Sequence, residues 1–558
     1  MQPLLENLIS KHQSAFVPGR AIMDNVLITY ETLHYLKLSK AAKRCSMAVK
    51  TDMSKAYDRI EWGFLKKVLQ KLEVLSGLCK QAQASGKLKG LQVARRSPFI
   101  NHLLFADDSM FFCKTNEANC LTLNTILSRY EQSSGQCINL NKSTVTFSAK
   151  TPPEVKARVK LSLGITKEGG VGKYLGVLEN FGRRKRDVFT VLVDKIRQRS
   201  HSWTTRFLSR AGKKILLKSV LLALPTYTMS CFKIPLSLCN RIQSILTRFW
   251  WDSSPDKRKI SWIAWKKLTK PKGEGGLGFR EVETFNDALL AKLSWRILKN
   301  SDSLLAQVLI GKYCSDCSFM ESKAKPTSSH GWRSIIAGME VLKQGEYTTK
   351  SGYLLLSSQS SPYRASDFNW YKNIWNVPTA PKIKHFLWRA ANQALPVGNL
   401  LAYRGITTDL HCKRCGGLES ISHILLDCTF ARSVWNLAPL LTGPASIPTT
   451  TNIKQILTEA HKSINLPPTG ISSTPIYSWI LWNLWTTRNQ AIFENKIFSE
   501  AETLLKALRD AKSWDSANLT IEKSPKSPRF PTDRPRDATF LCNVDGAWIQ
   551  STQGGGMG

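Results

Sequence analysis

Three cysteines and one histidine within 17 residues constrain this chain more than any other feature of its sequence. They are Cys412, Cys415, His423 and Cys428, in the spacing C-x2-C-x7-H-x4-C. Three thiolates and an imidazole can complete a tetrahedral shell around Zn²⁺, and Gly416 lets the chain turn back after the first pair. Because the protein supplies all four ligands, the spacing predicts a structural zinc site and not a catalytic one.

The chain carries a large excess of positive charge. Its 558 residues include 79 Lys and Arg against 41 Asp and Glu, a formal net charge of +38. This charge predicts a polyanionic partner, RNA or DNA first of all, and the alternative is a basic surface that only keeps the protein soluble. Hydrophobic residues make up 42% of the chain, enough for packed cores, which excludes wholesale disorder.

Several patterns that the sequence lacks bear on the compartment in which the protein resides. The sequence has no run of 18 apolar residues, so no membrane partner is predicted. The first 20 residues lack the pattern of a secretory signal. The 13 cysteines are odd in number and unevenly spread, which favours a reducing compartment. An intracellular protein, nuclear or cytoplasmic, is therefore predicted.

Aspartates lie at the ends of predicted strands in the first part of the chain. Residues 45–52 alternate like a strand that ends at Asp52, and residues 102–112 read as a hairpin with Asp107 and Asp108 at its tip. Crowded carboxylates repel one another and raise each other's pKa. Divalent cations such as Mg²⁺ relieve this repulsion, and bound between such carboxylates they assist phosphoryl transfer. The alternative for an Asp-Asp pair alone is a solvated turn. An α+β fold is predicted here.

Basic residues are concentrated between residues 181 and 218, where 12 Lys and Arg stand against two Asp. Several of them repeat at helical spacing, which predicts a basic helix face that contacts phosphate; a merely solvated face is the alternative. The residues predicted to bind nucleic acid are Arg183, Arg184, Lys185, Arg186, Arg206, Arg210, Lys213 and Lys214.

Short motifs follow one another along nearly the whole chain. They include QSAFVPGRAIMDN near the start, VKTDMSKAYDRIEW around Asp52, LLFADDSMFF around Asp107, KYLGV, and GGLGFREVETFNDALLAKLSWRIL. This ordered set resembles the reverse transcriptases of plant non-LTR (LINE-type) retrotransposons, and the Cys/His cluster resembles the zinc-binding domain that follows them. The resemblance implies Mg²⁺-assisted, RNA-directed DNA synthesis on a template-primer of RNA and DNA, including retroelement RNA.

The resemblance also implies roles for single residues. Asp52 and Asp107 match the metal-binding aspartates of the polymerase palm, with Asp108 as a third carboxylate. Tyr57 matches the aromatic residue that guards against the nucleotide 2′-hydroxyl. Lys142 matches a basic residue near the departing pyrophosphate. Arg20 lies in the fingers segment that contacts nucleotide or template.

One departure from the family bears on activity. Only 55 positions separate Asp52 from Asp107, because a long segment that supports the template in this family is missing. An internally deleted palm is expected to lose productive geometry, and small misplacements already reduce catalysis strongly. The sequence therefore predicts an inactive copy.

The resemblance, together with the Pro-rich composition of the linkers, divides the chain into seven segments. They are a fingers and palm remnant (1–150), a basic thumb-like helical region (151–239), a helical connection (240–345), the zinc-binding domain (346–438), a linker with amphipathic helices (439–522), a Pro-rich linker (523–539) and a truncated ribonuclease H start (540–558).

The last segment, FLCNVDGAWIQSTQGGGMG, resembles the first strand of a type 1 ribonuclease H domain. Asp545 matches the first metal-binding carboxylate of that domain. Its partner acids are absent from the sequence, and 19 residues cannot bury a core, so no ribonuclease H activity is expected.

Three interpretations follow. The first is a retrotransposon-derived reverse transcriptase, inactive in this copy. The second is a non-catalytic, zinc-stabilised nucleic-acid-binding remnant. The third is a gene product that does not accumulate as a folded protein.

Overall fold

The computed structural model describes residues 9–41, 45–54, 61, 63, 75–170, 172–178, 185–201, 208–253, 257–342, 347–360, 368–407, 409–441, 452–467, 469–471, 473–518, 546–549 and 554–557. Contacts between residues group the chain into two units. Unit 1 is Met1–Asn376 with Trp388–Pro396, and unit 2 is Val377–Leu387 with Val397–Gly558.

The strands that the structure describes are short and pair antiparallel. They are β1 (Ser46–Thr51), β2 (Met53–Ser54), β3 (His102–Phe105), β4 (Asp108–Lys114), β5 (Cys137–Ile138), β6 (Thr144–Phe147), β7 (Lys173–Tyr174), β8 (Val177–Leu178), β9 (Gly546–Ile549) and β10 (Gly554–Met557). In unit 1, β3, β4, β1 and β6 form a four-stranded sheet in that order. The other strands form two-stranded pairs, β2 with β5, β7 with β8, and β9 with β10.

Helices make up most of the described chain. Those of unit 1 are α1 (Ile22–Leu38), α2 (Leu75–Ala84), α3 (Glu117–Ser134), α4 (Pro153–Leu163), α5 (Lys185–Ser200), α6 (Arg210–Leu216), α7 (Thr226–Cys231), α8 (Leu236–Trp251), α9 (Trp265–Thr269), α10 (Val282–Lys299), α11 (Leu304–Tyr313), α12 (His330–Leu342) and α13 (Thr349–Ser360). Helix α14 (Pro381–Ala391) contributes residues to both units. Those of unit 2 are α15 (Gly398–Tyr403), α16 (Thr429–Leu437), α17 (Ile453–His461), α18 (Ile476–Phe493) and α19 (Glu500–Asn518).

The four-stranded sheet of unit 1 is covered on both faces. Met47, Val49 and Phe111 belong to a buried cluster that includes residues of α2, α3 and α4, while α1 contacts β1 and β3. Strands buried on both faces carry continuous apolar runs, which is why β4 reads MFFC in its centre. The register pairs Thr51 with Ser109, so β1 ends where β4 begins.

Helices α8, α10 and α12 form much of the remaining core of unit 1. Gly338 of α12 lies so close to α10 that a Cβ atom there would be 2.4 Å from the carbonyl carbon of Leu290. The buried Asn286 of α10 donates from Nδ2 to the carbonyl oxygens of Met229 (2.8 Å) and Phe232 (3.1 Å). These bonds satisfy an amide that would be costly to bury alone.

Unit 2 is built around α18, which packs against α19. Its buried residues lie all around the helix and include Ile476, Trp479, Ile480 and Leu484, as is typical of a helix enclosed by the fold. A π-helical turn, His423–Asp427, contacts both α16 and α18. The Cys/His segment therefore lies on the core of this unit.

The structure confirms two local predictions and the mixed fold class. The strand predicted at residues 45–52 is β1, and the hairpin predicted at residues 102–112 is β3 with β4. The chain mixes strands with a larger share of helices. The seven segments and the palm and fingers assignment stay predictions. Within the described ranges, no helix has the length and apolar character needed to cross a bilayer.

Candidate zinc centre and associated sites

The four predicted zinc ligands converge in unit 2. Cys412 Sγ lies 3.9 Å from Cys428 Sγ, which lies 3.6 Å from Cys415 Sγ, and Cys415 Sγ lies 3.1 Å from His423 Nε2. All four ligand atoms lie within 4.8 Å of one another. Zinc–sulfur bonds of about 2.3 Å in a tetrahedron place sulfur atoms about 3.8 Å apart, so the observed spacing fits Zn²⁺.

Local backbone geometry brings the first two ligands round a tight turn. The Cys412 N–H donates to the Gly417 carbonyl (2.7 Å), and the Gly416 N–H donates to the Cys412 carbonyl (2.8 Å). Gly416 has a φ of +74°, which favours glycine. A Cβ atom on Gly417 would lie 3.1 Å from His423 Cε1, so this glycine leaves room for the imidazole.

The second pair of ligands is fixed by the π-helical turn. The His423 N–H donates to Ser420 Oγ (3.0 Å), and the Cys428 N–H donates to the His423 carbonyl (2.8 Å). A hydrogen bond from Cys428 lowers the pKa of the Cys412 thiol, which favours the thiolate that binds metal. With four protein ligands and no open position, the site suits structural zinc.

A buried ion pair joins the zinc segment to α18. Arg488 donates from Nε to Glu419 Oε1 (2.8 Å), and its Nη2 lies 2.5 Å from Glu419 Oε2. Glu419 Oε2 also accepts from the Gly398 N–H (2.8 Å). The sequence does not indicate this pair, because no local pattern relates residues 69 positions apart.

The three predicted catalytic carboxylates lie at one end of the four-stranded sheet. Asp52 directly follows β1, Asp107 lies in the turn between β3 and β4, and Asp108 opens β4. Ala106, beside Asp107 in this two-residue turn, has a φ of +52°, as tight hairpins require. The charges of both Asp107 and Asp52 raise the pKa of Asp108, so the three carboxylates act on one another at this end of the sheet.

Lysines partner two of these carboxylates. Lys142 Nζ lies 3.6 Å from Asp52 Oδ2, and Lys50 Nζ lies 4.0 Å from Asp108 Oδ1. Burial raises the pKa of Asp108, Lys50 lowers it, and the other two aspartates raise it again. Lys50 was not among the site residues predicted from the sequence, although its position two residues before Asp52 on β1 could have indicated it.

Oxygen ligands at this sheet edge suit Mg²⁺, which uses one or two carboxylates and keeps bound waters. Among the described residues, three or more metal-ligating groups converge at the Cys/His cluster, and the aspartates do not form such a group. The role of the aspartates stays a prediction.

Of the other residues assigned from the family resemblance, the structure describes Arg20. Arg20 donates from its guanidinium to the backbone carbonyls of Ile9, Ser10 and Gln13, which holds the preceding loop. Tyr57 and Asp545 lie outside the described residues. Nucleotide contact by Arg20 stays a prediction.

The predicted basic face divides into residues with different surroundings. Arg210 donates to the carbonyl of Trp250, and Lys213 Nζ donates to that of Asp252. Both side chains therefore supply hydrogen bonds to carbonyl groups at the C-terminal end of α8. Burial, then the charge of Arg210, lowers the pKa of Lys213 to about 8. Their phosphate contact stays a prediction.

Lys214, on the same helix, contacts other groups. Its Nζ lies 5.9 Å from the centre of the Trp375 ring. Arg183, Arg184 and Arg206 lie outside the described residues, and Lys185 and Arg186 lie in α5 without described side chains.

Comparison with known proteins places the chain in a family. The family described as "zinc-binding in reverse transcriptase" matches residues 347–435, which include all four zinc ligands. The Arabidopsis thaliana protein named "Uncharacterized mitochondrial protein AtMg00310" is 49% identical over 125 residues, 22% of this chain and 81% of the relative. This chain belongs to the family of that mitochondrial protein.

Two more relatives come from the same plant. "Putative ribonuclease H protein At1g65750" is 23% identical over 348 aligned residues, 45% of this chain and 56% of the relative. "Uncharacterized mitochondrial protein AtMg01250" is 65% identical over 37 residues, 7% of this chain and 30% of the relative. The chain thus spans about half the length of the first of these and a third of the second. With the zinc-binding match, these similarities identify a reverse-transcriptase-related, retrotransposon-derived protein with a structural zinc site.

Proposed function

We propose that this chain binds nucleic acid and no longer polymerises it, as an internally deleted relative of LINE-type reverse transcriptases. The observation that carries the binding proposal is the burial of cations beside other cations. Burial, then the charges of Lys272 and Lys218, lower the pKa of Lys214 to about 8. Placing like charges together costs free energy, which the phosphates of a nucleic acid offset.

Two features near Asp52, Asp107 and Asp108 favour the loss of polymerisation. The segment between Asp52 and Asp107 is too short to hold the template support that the family carries there. Lys142 and Lys50 lie beside Asp52 and Asp108, where they compete with metal ions for the carboxylates. Two-metal catalysis needs both ions at defined positions, so a shortened palm is expected to lose it.

A second candidate function is Mg²⁺-dependent, RNA-directed DNA synthesis. It is favoured by the gathering of Asp52, Asp107 and Asp108 at one sheet edge, where burial raises the pKa of Asp108. Bound Mg²⁺ would stabilise the attacking and leaving oxygens of nucleotidyl transfer.

Primer extension separates the two candidates. Zinc-loaded full-length protein is given a poly(rA) template, an oligo(dT) primer and Mg²⁺ or Mn²⁺, beside the Asp107→Asn variant. Binding of the same template-primer is followed by fluorescence anisotropy from 50 to 200 mM salt. We expect binding that weakens steeply with salt, and no nucleotide incorporation by either protein.

Each readout can contradict one part of the proposal. Incorporation that Asp107→Asn abolishes would show a working two-metal site and overturn the inactive copy. Binding that is absent, or that does not change with salt, would overturn the nucleic-acid interface.

A further inference from the structure

Four cations of unit 1 converge from two separate segments of the chain. They are Lys214, Lys218, Lys272 and Arg280, named here the four-cation cluster. The first two lie four residues apart, about 6 Å along a helix axis, and the other two flank the glycine-rich segment 273–278.

Three of these cations lie near aromatic rings. Lys214 Nζ and Lys272 Nζ lie 5.9 and 5.1 Å from the centre of the Trp375 ring. Lys218 Nζ lies 5.9 Å from the Phe279 ring.

The two lysines of the first segment are surrounded by other cations. Burial first, then Lys272 and Lys218, lowers the pKa of Lys214 to about 8. Burial first, then Lys272 and Arg280, lowers the pKa of Lys218. In the part of the chain that the structure describes, no carboxylate is among the charges that shift these two lysines. The cations therefore repel one another, and an anion bound among them would relieve the repulsion.

The glycine-rich segment is held in one conformation. Trp388 Nε1 donates to the Gly275 carbonyl (2.8 Å), and Trp375 Nε1 donates to the carbonyl of Lys272, which directly precedes the segment (3.1 Å). A Cβ atom on Gly276 would lie 1.9 Å from the carbonyl oxygen of Lys270, so only glycine fits. A segment fixed in this way adds no backbone ordering cost when an anion binds the flanking cations.

The backbone of this segment does not itself cradle an anion. The N–H groups of Gly276, Leu277 and Gly278 donate to carbonyl oxygens of residues 268–271 at 2.9–3.1 Å. These donors are therefore occupied, unlike the free N–H groups of a phosphate-binding loop. Any anion here would be held by side-chain charge. Binding of a nucleic acid should therefore weaken strongly with salt and depend little on the nucleotide sequence.

We propose that the four-cation cluster is a phosphate-binding site for the backbone of single-stranded nucleic acid. The inference rests on the proposed nucleic-acid binding and assigns it to particular residues. Cations spaced along two segments match the positively charged groove that follows the backbone of a single strand. Lys218, Lys272 and Arg280 are new to the interface, and only Lys214 belongs to the basic face predicted from the sequence. A sequence signal existed for Lys218, which continues that face one turn further.

The test uses zinc-loaded full-length protein and a labelled 12-nucleotide oligo(U) RNA. The variant Lys214→Gln/Lys218→Gln/Lys272→Gln is compared with wild type and with Lys292→Gln/Lys323→Gln/Lys325→Gln, which removes equal charge from exposed positions of unit 1. Each phosphate contact to a single strand contributes about 0.7 to the slope of log K against log salt, so loss of three contacts lowers the slope by about 2. We expect this loss in the cluster variant and almost none in the control.

A stability measurement keeps the result interpretable. Removing charges that repel one another should leave the melting temperature of the cluster variant equal to or above that of wild type. A purely structural role for these lysines would lower it, and that outcome would count against the site.

The remaining outcomes each decide something. Equal salt slopes for the cluster variant and the control, with wild type still binding, would overturn the site and leave the proposed function standing. No RNA binding by wild type would overturn both. An unchanged RNA affinity, with loss of stabilisation by inorganic phosphate or of retention on phosphatidylserine vesicles, would assign the cluster to a free anion or a lipid headgroup and overturn the nucleic-acid assignment.

Discussion

Glu419 and Arg488 are almost removed from solvent, with 4% and 12% of their side-chain surface exposed. The pair is bidentate, and Glu419 also accepts from the Gly398 N–H. A buried carboxylate is tolerated because these donors replace its water. Removing either partner leaves the other charge buried and unpaired.

We predict that Arg488→Met lowers the free energy of unfolding of unit 2 by about 3–5 kcal/mol, because Glu419 loses its counter-charge. Urea denaturation of the zinc-loaded protein measures the change, with the exposed Arg509→Met as the matched control. Adding Glu419→Gln to Arg488→Met should recover part of the loss. A stability equal to that of the control would contradict the ion-pair argument.

Two histidines of unit 1 are held neutral by their surroundings. The rings of His12 and His102 stack with centroids 4.4 Å apart, and Ser76 Oγ lies 2.7 Å from His102 Nε2. Burial, then the charges of Lys80 and Arg20, lowers the pKa of His12 to about 4. Burial also holds the pKa of His102 well below its usual range.

This placement predicts acid sensitivity. His12 takes up a proton near pH 6.5 in the unfolded chain and only near pH 4 in the folded chain. Between these pH values the unfolded state binds more protons, so a falling pH favours unfolding. Stability should be fully present above pH 6.5 and fall by up to about 3 kcal/mol for His12 as the pH drops to 4. Denaturation curves from pH 7.5 to 4.5 test this. His12→Gln should flatten the profile, whereas exposed His201→Gln should leave it unchanged.

Helices α10 and α12 meet through a residue without a side chain. Beyond its approach to the Leu290 carbonyl carbon, a Cβ atom on Gly338 would lie 2.6 Å from the backbone nitrogen of Ala291. Both neighbours are main-chain atoms, which cannot rotate away as the end of a side chain can. The close crossing of these helices therefore depends on this glycine.

We expect Gly338→Ala to destabilise unit 1 by about 1–3 kcal/mol, because the helices must move apart to admit the methyl group. Gly212→Ala is the control, since its Cβ atom would meet the far end of the Leu208 side chain at 3.0 Å. There the gain in helix propensity should offset the contact. Thermal unfolding of both variants compares them, and a neutral Gly338→Ala would contradict the described crossing.

The division into two units places the zinc centre and the four-stranded sheet in separate parts of the molecule. The ligands lie in unit 2, in a segment with few other elements of regular structure between residues 409 and 428. Structural zinc supplies much of the folding free energy of such segments. The sheet has its own buried cluster with α2, α3 and α4.

We predict one zinc ion per chain, released by chelation or by Cys412→Ser/Cys415→Ser. Its loss should abolish hydrogen-exchange protection around residues 409–441 and preserve protection in β1, β3 and β4. Elemental analysis and hydrogen-exchange mass spectrometry measure the two effects, and Cys314→Ser/Cys317→Ser controls for loss of a cysteine pair as such. A fold of residues 409–441 that persists without zinc would contradict the structural role.

The sequence by itself determined the features that depend on neighbours along the chain. The spacing of Cys412, Cys415, His423 and Cys428 predicted the zinc centre, because a turn and one helical segment are enough to bring these ligands together. Alternation predicted β1 and the hairpin that carries Asp107, since strand period and turn chemistry are local. Net charge indicated a polyanionic partner, because it does not depend on the fold.

Only the tertiary structure decided which distant groups meet. It paired Glu419 with Arg488, set Lys142 beside Asp52, and separated the basic face into Lys213, which serves a helix end, and Lys214, which joins Lys272. These contacts join residues tens of positions apart, so chain connectivity does not specify them. They form because packing of the apolar faces fixes the backbone, and the charged side chains then take the partners left within reach.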